Sequence, residues 1–321
     1  MSVILARAAE NGYWLGRYLE RASDFVRLLS VTDSVSTELQ GFSPEMSRKV
    51  WAETHQVFTG FTPPIDECDP TSLCRTFLLD LNEPMSVVSS IRNARENARA
   101  FRETLTLEAF TLLNATWQLA KESTDQINDM IKSESAPLII SLRSVLEEMQ
   151  KAIYAVCGAI DRTGSRGDAW RFLHMGTLME RAGRTAEMLR VVIPAIRLED
   201  EAAPARNARL RAVLRALAAL ESYHQQFEAR LDASRISKFL MFNQEPPHAV
   251  LPCVEAVNRD LNMLNQRGRV EEPTRRSGLL LAHLQFEGGG ANPENPDELA
   301  EEIFEELNNL HQAITERFFT V

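Results

Sequence analysis

One heptapeptide pattern occurs twice, and it constrains the fold more than any other feature. Gly16-Arg17-Tyr18-Leu19-Glu20-Arg21-Ala22 returns 160 residues later as Gly176-Thr177-Leu178-Met179-Glu180-Arg181-Ala182, half the 321-residue chain away. A second echo lies further on. Phe77-Leu78-Leu79 followed by Asn82-Glu83-Pro84 resembles Phe239-Leu240-Met241 followed by Gln244-Glu245-Pro246, at a shift of 162. Two matches in one order at nearly one shift point to a duplicated multi-helix unit. The period is far too long for a solenoid repeat. The expectation is an all-α fold: a duplicated multi-helix bundle with two related halves, 1–163 and 164–321, about a pseudo-twofold axis in one compact domain.

Apolar periodicity supplies the helices. Leu5, Ala8, Gly12, Leu15, Leu19, Ala22, Val26 and Leu29 advance by threes and fours, the stripe of one long helix to about Leu39, widened by Trp14, Tyr18 and Phe25. A short helix through Trp51 follows, then a loop from Gly60 to about Pro70 and a helix near 73–79. Asn82-Glu83-Pro84 reads as a helix start running to about Thr104. Further helices are expected at 108–132, 137–162 and 168–197. After a polar linker at Glu199–Pro204 come one long helix over 205–232 and shorter ones at 234–242 and 247–266. Gln266–Gly278 reads as a charged connection, Glu287–Pro296 as the most flexible stretch, and Asn295-Pro296-Asp297-Glu298 as the start of a final helix. No alternating strand pattern occurs. Trp170, Phe172 and Phe101 read as core.

Charge and cysteine usage exclude several classes. The formal charge is −10, from 35 Lys and Arg against 45 Asp and Glu. Phosphate backbones select for a surplus of cations, so nucleic-acid binding is not expected. Cys68, Cys74, Cys157 and Cys253 lack Cys-x-x-Cys spacing, as in a reduced, cytoplasmic chain. No leader peptide and no membrane-spanning apolar run is legible.

Gly16 and Glu20 stack one helical turn apart, as do Gly176 and Glu180. Glycine costs roughly 1 kcal/mol inside a helix, so its recurrence one turn before a glutamate implies a close approach there. A twofold arrangement would bring Glu20 and Glu180 together, where close carboxylates split their pKa values and one serves as acid or base. The competing reading is crossed ion pairs, Glu20 with Arg181 and Glu180 with Arg21. Arg17 lies within reach of Glu20, whereas Thr177 takes its place in the second copy.

A second candidate is the stripe Arg92, Arg95, Arg99 and Arg102, spaced 3, 4 and 3 on one face. It is either a wall for an anionic ligand or a face paired with Glu96, Glu103 and other acids. The second half puts Val254, Val257 and Asp260 near the aligned positions. A diiron site would need two Glu-x-x-His pairs. Glu221–His224 has that spacing, but Glu245–His248 is interrupted by prolines, so no metal site is assigned. No phosphate loop, nucleophile elbow or His-Glu-x-x-His pattern is present.

Ala9-Glu10-Asn11-Gly12-Tyr13-Trp14-Leu15-Gly16-Arg17-Tyr18-Leu19-Glu20-Arg21-Ala22 resembles the N-terminal signature of the bacterial alpha-E domain family. Arg95-Glu96-Asn97-Ala98-Arg99 resembles its second motif. Asp168-Ala169-Trp170-Arg171-Phe172-Leu173, with Gly176 and Glu180-Arg181-Ala182, resembles its third, and Asn114-Ala115-Thr116-Trp117 also fits. Thr177 and His174 depart from it. The resemblance implies a partner, a circularly permuted ATP-grasp protein, and a role in an amide-bond-forming system for peptide synthesis or modification. The substrate would be a peptide or amino acid bearing a carboxylate or acyl phosphate. Glu20 and Glu180 would be acid/base or amine-orienting groups, and Arg17, Arg21, Arg92, Arg95, Glu96, Arg99 and Arg181 would bind substrate. No cofactor is expected on this chain, with ATP entering only through the partner. The alternative is a non-catalytic helical scaffold or adaptor. The sequence leaves a homo-oligomer open.

Overall fold

The computed structural model describes residues 6–41, 43–133, 138–198, 202–227, 230–264, 271–289 and 296–319. Within them the chain forms thirteen α-helices and one 3-10 turn, with no strand. The chain packs as two compact units: Trp14–Trp170, and Arg171–Val321 together with Met1–Tyr13.

The first unit contains most of α1 (Ala6–Gln40), α2 (Pro44–Thr59), α3 (Pro70–Leu79), α4 (Val87–Ala100), α5 (Leu107–Lys132) and α6 (Leu138–Thr163), with a 3-10 turn at Ile65–Glu67. The α2 helix outruns its sequence reading because Val50, Trp51, Val57 and Phe58 continue one buried stripe to its end. It stops at Gly60, whose φ of 76° is left-handed. Small hydroxyls join α1 to α2. Ser36 Oγ lies 2.7 Å from Ser47 Oγ and accepts from Trp51 Nε1 at 3.0 Å, while Thr32 and Thr54 pair at 2.8 Å. All are buried, and each polar atom is answered, as a dry interior requires. α4 begins later than the Asn82-Glu83-Pro84 reading. Ser86 is the cap, accepting from Ser89 N at 3.1 Å, and Pro84 sits in the turn before it. α4 packs on α5 and α5 on α6.

The second unit contains most of α7 (Asp168–Leu198), then α8 (Ala203–Ala216), α9 (Leu220–Phe227), α10 (Ala233–Phe242), α11 (Val250–Leu264), α12 (Glu272–Gly289) and α13 (Pro296–Phe318). Two sequence readings are corrected here. The expected helix over 205–232 breaks after Ala216 without a glycine or proline. Ala219 N bonds Leu214 O at 2.8 Å and Ala218 N bonds Arg215 O at 3.1 Å, the paired bonds of a Schellman stop. Ala218 takes the left-handed position, with φ 49°. Burial of Leu217 and Ala219 drives the break. The expected connection over 266–278 becomes helical from Glu272, because Pro273 suits a first turn and Ser277, Leu280 and Leu284 form a buried stripe. Gly288, expected in a flexible stretch, is helical and abuts Phe242, whose ring would lie 3.1 Å from an added Cβ. The flexible reading at 290–295, the Asn295 cap and Glu199–Glu201 lie outside the described residues.

α3 and α10 are alike. Each has ten residues, an aspartate cap (Asp69 and Asp232) whose side chain accepts an amide N–H, and a buried Phe-Leu-Leu or Phe-Leu-Met end. Among the described residues, no helix is long and apolar enough to cross a membrane.

Candidate functional site

The two signature helices bury the same positions. Gly16, Glu20 and Ala22 are buried on α1, and Gly176, Glu180 and Ala182 on α7. Each glutamate is only 4% exposed. The arginine after each glutamate, Arg21 and Arg181, is half-buried, because consecutive helical residues point about 100° apart.

Charged residues that the sequence reading passed over extend both signatures. On α1, Asp24 lies one turn beyond Glu20, and a carboxylate oxygen of each falls within 4.8 Å of the other. Arg27 donates to Asp24 at 3.1 Å, with Tyr154 Oη 3.3 Å away. Burial works against the Arg27 charge, but Asp24, Tyr154 and Glu20 outweigh it and raise its pKa. On α7 the aligned positions carry Glu180, Arg184 and Glu187. Arg184 lies 3.9 Å from Glu180, and Arg190 binds Glu187 at 3.0 Å. Burial pushes the Glu187 carboxyl up, and Arg190 and Arg184 only partly oppose that. The two units thus carry related but inverted patterns: acid, acid, base on α1 and acid, base, acid on α7. The available signal was charge at i+4 and i+7 on helix faces that otherwise bury only apolar groups. Glu20 and Asp24 are hard oxygen donors of the kind divalent cations take, but two oxygens are too few by themselves.

A second stripe runs beside each signature. On α1, Trp14, Arg17, Tyr18 and Arg21 are half-buried. Trp14 stacks on Tyr18 at 5.6 Å, Arg17 lies over Trp14 at 5.5 Å, and Arg21 lies over Tyr18 at 5.3 Å. Such cation–π contacts hold guanidinium groups flat and fixed. On α7 the half-buried stripe is Arg171, His174, Thr177 and Arg181. The buried Asp260 of α11 joins two of them, with His174 Nδ1 at 2.6 Å and Arg171 Nη1 at 3.3 Å. Sequence spacing cannot reveal this cluster, since 86 residues separate His174 from Asp260.

The α4 arginines divide. Arg95 donates to Asn114 Oδ1 at 2.7 Å and to Glu96 at 3.0 Å, and Arg99 reaches Glu96 at 3.2 Å. Arg102 lies 4.7 Å above Phe110 and bonds the Leu105 carbonyl. Arg92 meets only Ser89 Oγ, at 3.4 Å, and has no carboxylate partner among the described residues. The motif residue Asn114 therefore fixes Arg95 across the α4–α5 packing.

The remaining sequence candidates separate. Glu221 and His224 are exposed on α9, whereas Glu245 is exposed and His248 buried in the turn before α11. Phe101 and Phe172 are core, but Trp170 is half-buried under Arg166, at 4.2 Å.

The model of a predicted alpha-helical domain with a conserved ER motif, named Alpha-E, matches residues 4–319. The chain belongs to the Alpha-E family. Its similar relatives include uncharacterised proteins of Mycobacterium bovis and of two strains of Mycobacterium tuberculosis, each 20% identical over 326 residues and 96% of this chain. That match spans 35% of each relative, so the chain covers about a third of their length. No solved structure matches it significantly. Both signatures of this chain carry a Glu-Arg pair, Glu20-Arg21 and Glu180-Arg181, each with its acid buried and its base half-buried.

Proposed function

We propose that this chain is a component of an amide-bond-forming system for peptide synthesis or modification, working with a circularly permuted ATP-grasp protein. The observation that carries the reading is the twofold occurrence of a buried glutamate beside a half-buried, fixed arginine stripe. Packing alone does not call for a buried acid flanked by half-buried guanidinium groups on both signature helices. In this reading the system arose by duplication of one helical unit, and the repeat of α3 as α10 supports that.

The roles follow from charge and accessibility. Glu20 and Glu180 supply negative potential that orients an amine. Arg17 and Arg21 on the first signature, and Arg181 on the second, are each suited to bind a carboxylate or acyl phosphate of a substrate. On α4, Arg92 is the anion-binding group, because its charge is not already answered. Arg95, Glu96 and Arg99 form the frame beside it. Nucleotide binding belongs to the partner, since no phosphate loop is present in this chain.

A scaffold role has one observation in its favour: Glu180 and Glu187 are already engaged by arginines of their own helix. Co-expression with the ATP-grasp protein, copurification and assay of amino-acid-dependent ATP hydrolysis separate the readings. A complex whose ATP turnover rises with an amino-acid mixture is expected. A complex without any amino-acid-dependent turnover favours the scaffold. Tight ATP binding by this chain alone contradicts the assignment of the nucleotide to the partner.

A further inference from the structure

We infer that Arg92, Trp117 and Lys121 form a binding strip for a molecule that ends in two carboxylates, an acidic amino acid or the C-terminus of an acidic peptide; this deepens the reading of Arg92 above and rests on it. All three residues belong to one unit, Trp14–Trp170. α4 and α5 follow each other through a short turn and pack together, so they run antiparallel. Two contacts fix their register. Arg102, in the turn just beyond α4, lies over Phe110, and Arg95 donates to Asn114 at 2.7 Å. Three residues make nearly one helical turn. Three back along α4 and three forward along α5 therefore set Arg92 on the same rung as Trp117. Lys121 is on the rung after that. Phe110, Asn114, Trp117 and Lys121 form one half-buried stripe of α5, and Arg92 and Arg95 are half-buried on α4.

The rungs differ in how their charge is answered. Arg102 is taken up by the Leu105 carbonyl and the Phe110 ring, and Arg95 by Asn114 and Glu96. Arg92 meets only Ser89 Oγ, at 3.4 Å, and Lys121 meets only the face of Trp117, 5.9 Å from the ring centre. Neither has a carboxylate partner among the described residues. The contact with Ser89 draws the Arg92 guanidinium toward the N-terminal end of α4, which in an antiparallel pair is the Lys121 end of the strip. Two unanswered cations thus flank one indole, in a chain whose formal charge is −10.

That order selects the ligand. A lone phosphate gathers its donors around a single centre, whereas these cations stand on successive rungs with an aromatic ring between them. Two carboxylates on a short aliphatic chain match the arrangement. One accepts the planar fork of Arg92, and the other meets the point charge of Lys121. The methylene groups between them lie on the indole, whose face is apolar.

The test is calorimetric titration of the full chain with the tripeptide Ala-Ala-Glu, its C-terminal amide, Ala-Ala-Ala and inorganic phosphate. The free diacid should bind tightest, and loss of either carboxylate should weaken binding roughly 10- to 100-fold, as for a hydrogen bond to a charged group. Arg92→Gln and Lys121→Gln should each erase most of the preference for the diacid. Lys132→Gln, which removes an exposed charge paired with Asp129 at the far end of α5, should leave it unchanged, and circular dichroism reports whether each variant is folded. The indole N–H resonance of Trp117, assigned with Trp117→Phe, should shift as the diacid is added. Equal affinity for the diacid and the two monoacids, no binding of the diacid at millimolar concentration, phosphate binding as tightly as the diacid, or a Trp117 resonance that does not move would each overturn the assignment. Failure of the wider reading is distinguishable. Diacid binding by this strip, in a chain whose complex with the ATP-grasp protein shows no amino-acid-dependent ATP turnover, keeps the site and removes the amide-forming role. Turnover without a preference for diacids does the reverse.

Discussion

Replacing Ala218 by glycine should stabilise the protein, although it removes a methyl group and adds chain entropy. Ala218 ends α8 with φ 49°, and it is exposed, so no packing is lost. A left-handed conformation costs a non-glycine residue roughly 1–2 kcal/mol. The added freedom of the unfolded chain returns roughly 0.4–1 kcal/mol of that. The net gain should therefore be about 0.5–1 kcal/mol, or about 1–4 °C in Tm for a unit of this size. Ala218→Val should lose stability, because a β-branched side chain tolerates that backbone worse than alanine does. Thermal unfolding followed by circular dichroism, with urea midpoints as a check, measures both. A glycine variant less stable than wild type would refute the Schellman assignment and restore one continuous helix over 205–232.

Three further outcomes follow. Glu187 has a raised pKa, so its contribution to stability is fully present below its ordinary value of 4.5 and is lost as pH rises through the higher folded value. Glu187→Gln should therefore match wild type in urea unfolding at pH 4 and exceed it at pH 7; a loss at pH 7 would show that Arg190 outweighs burial. Cys74 is buried beside Asp33, with its thiol pushed up to about 12, so it should resist iodoacetamide in the native protein and react only after unfolding, as peptide mass mapping would report. Arg92→Ala should weaken substrate binding, raising KM more than tenfold in the coupled ATPase assay, whereas Arg99→Ala should change it less than twofold; equal effects would contradict the division of the α4 stripe.

The sequence disclosed the fold class wherever a helix carried its own apolar stripe and punctuation. α1, α5, α6 and α7 were readable to within a residue or two for that reason. It failed where long-range burial decided. Ala218 stops a helix without glycine because Leu217 and Ala219 are drawn into the core, and no local residue signals that. α12 was hidden by its charged first turn, although Pro273 and the Ser277–Leu280–Leu284 spacing were available. At the site, the repeated Gly-x-x-x-Glu-Arg-Ala was visible as identity, and its burial pattern followed from helix geometry. Asp24, Arg27, Arg184 and Glu187 lie one and two turns further along, outside the seven-residue identity that marks the repeat. The Asp260–His174 contact could not be read at all, since it depends on how α11 packs against α7.

The signature glutamates serve either chemistry or packing alone. Glu20→Gln and Glu180→Gln, each measured for Tm and for amide formation with the ATP-grasp partner, decide this. A functional acid held at a cost in stability predicts a Tm that is unchanged or higher, with amide formation reduced more than tenfold. A Tm that falls as for a broken buried ion pair, roughly 3–5 kcal/mol of lost stability, with full activity per folded molecule, would contradict the central claim and leave the signature as a packing device.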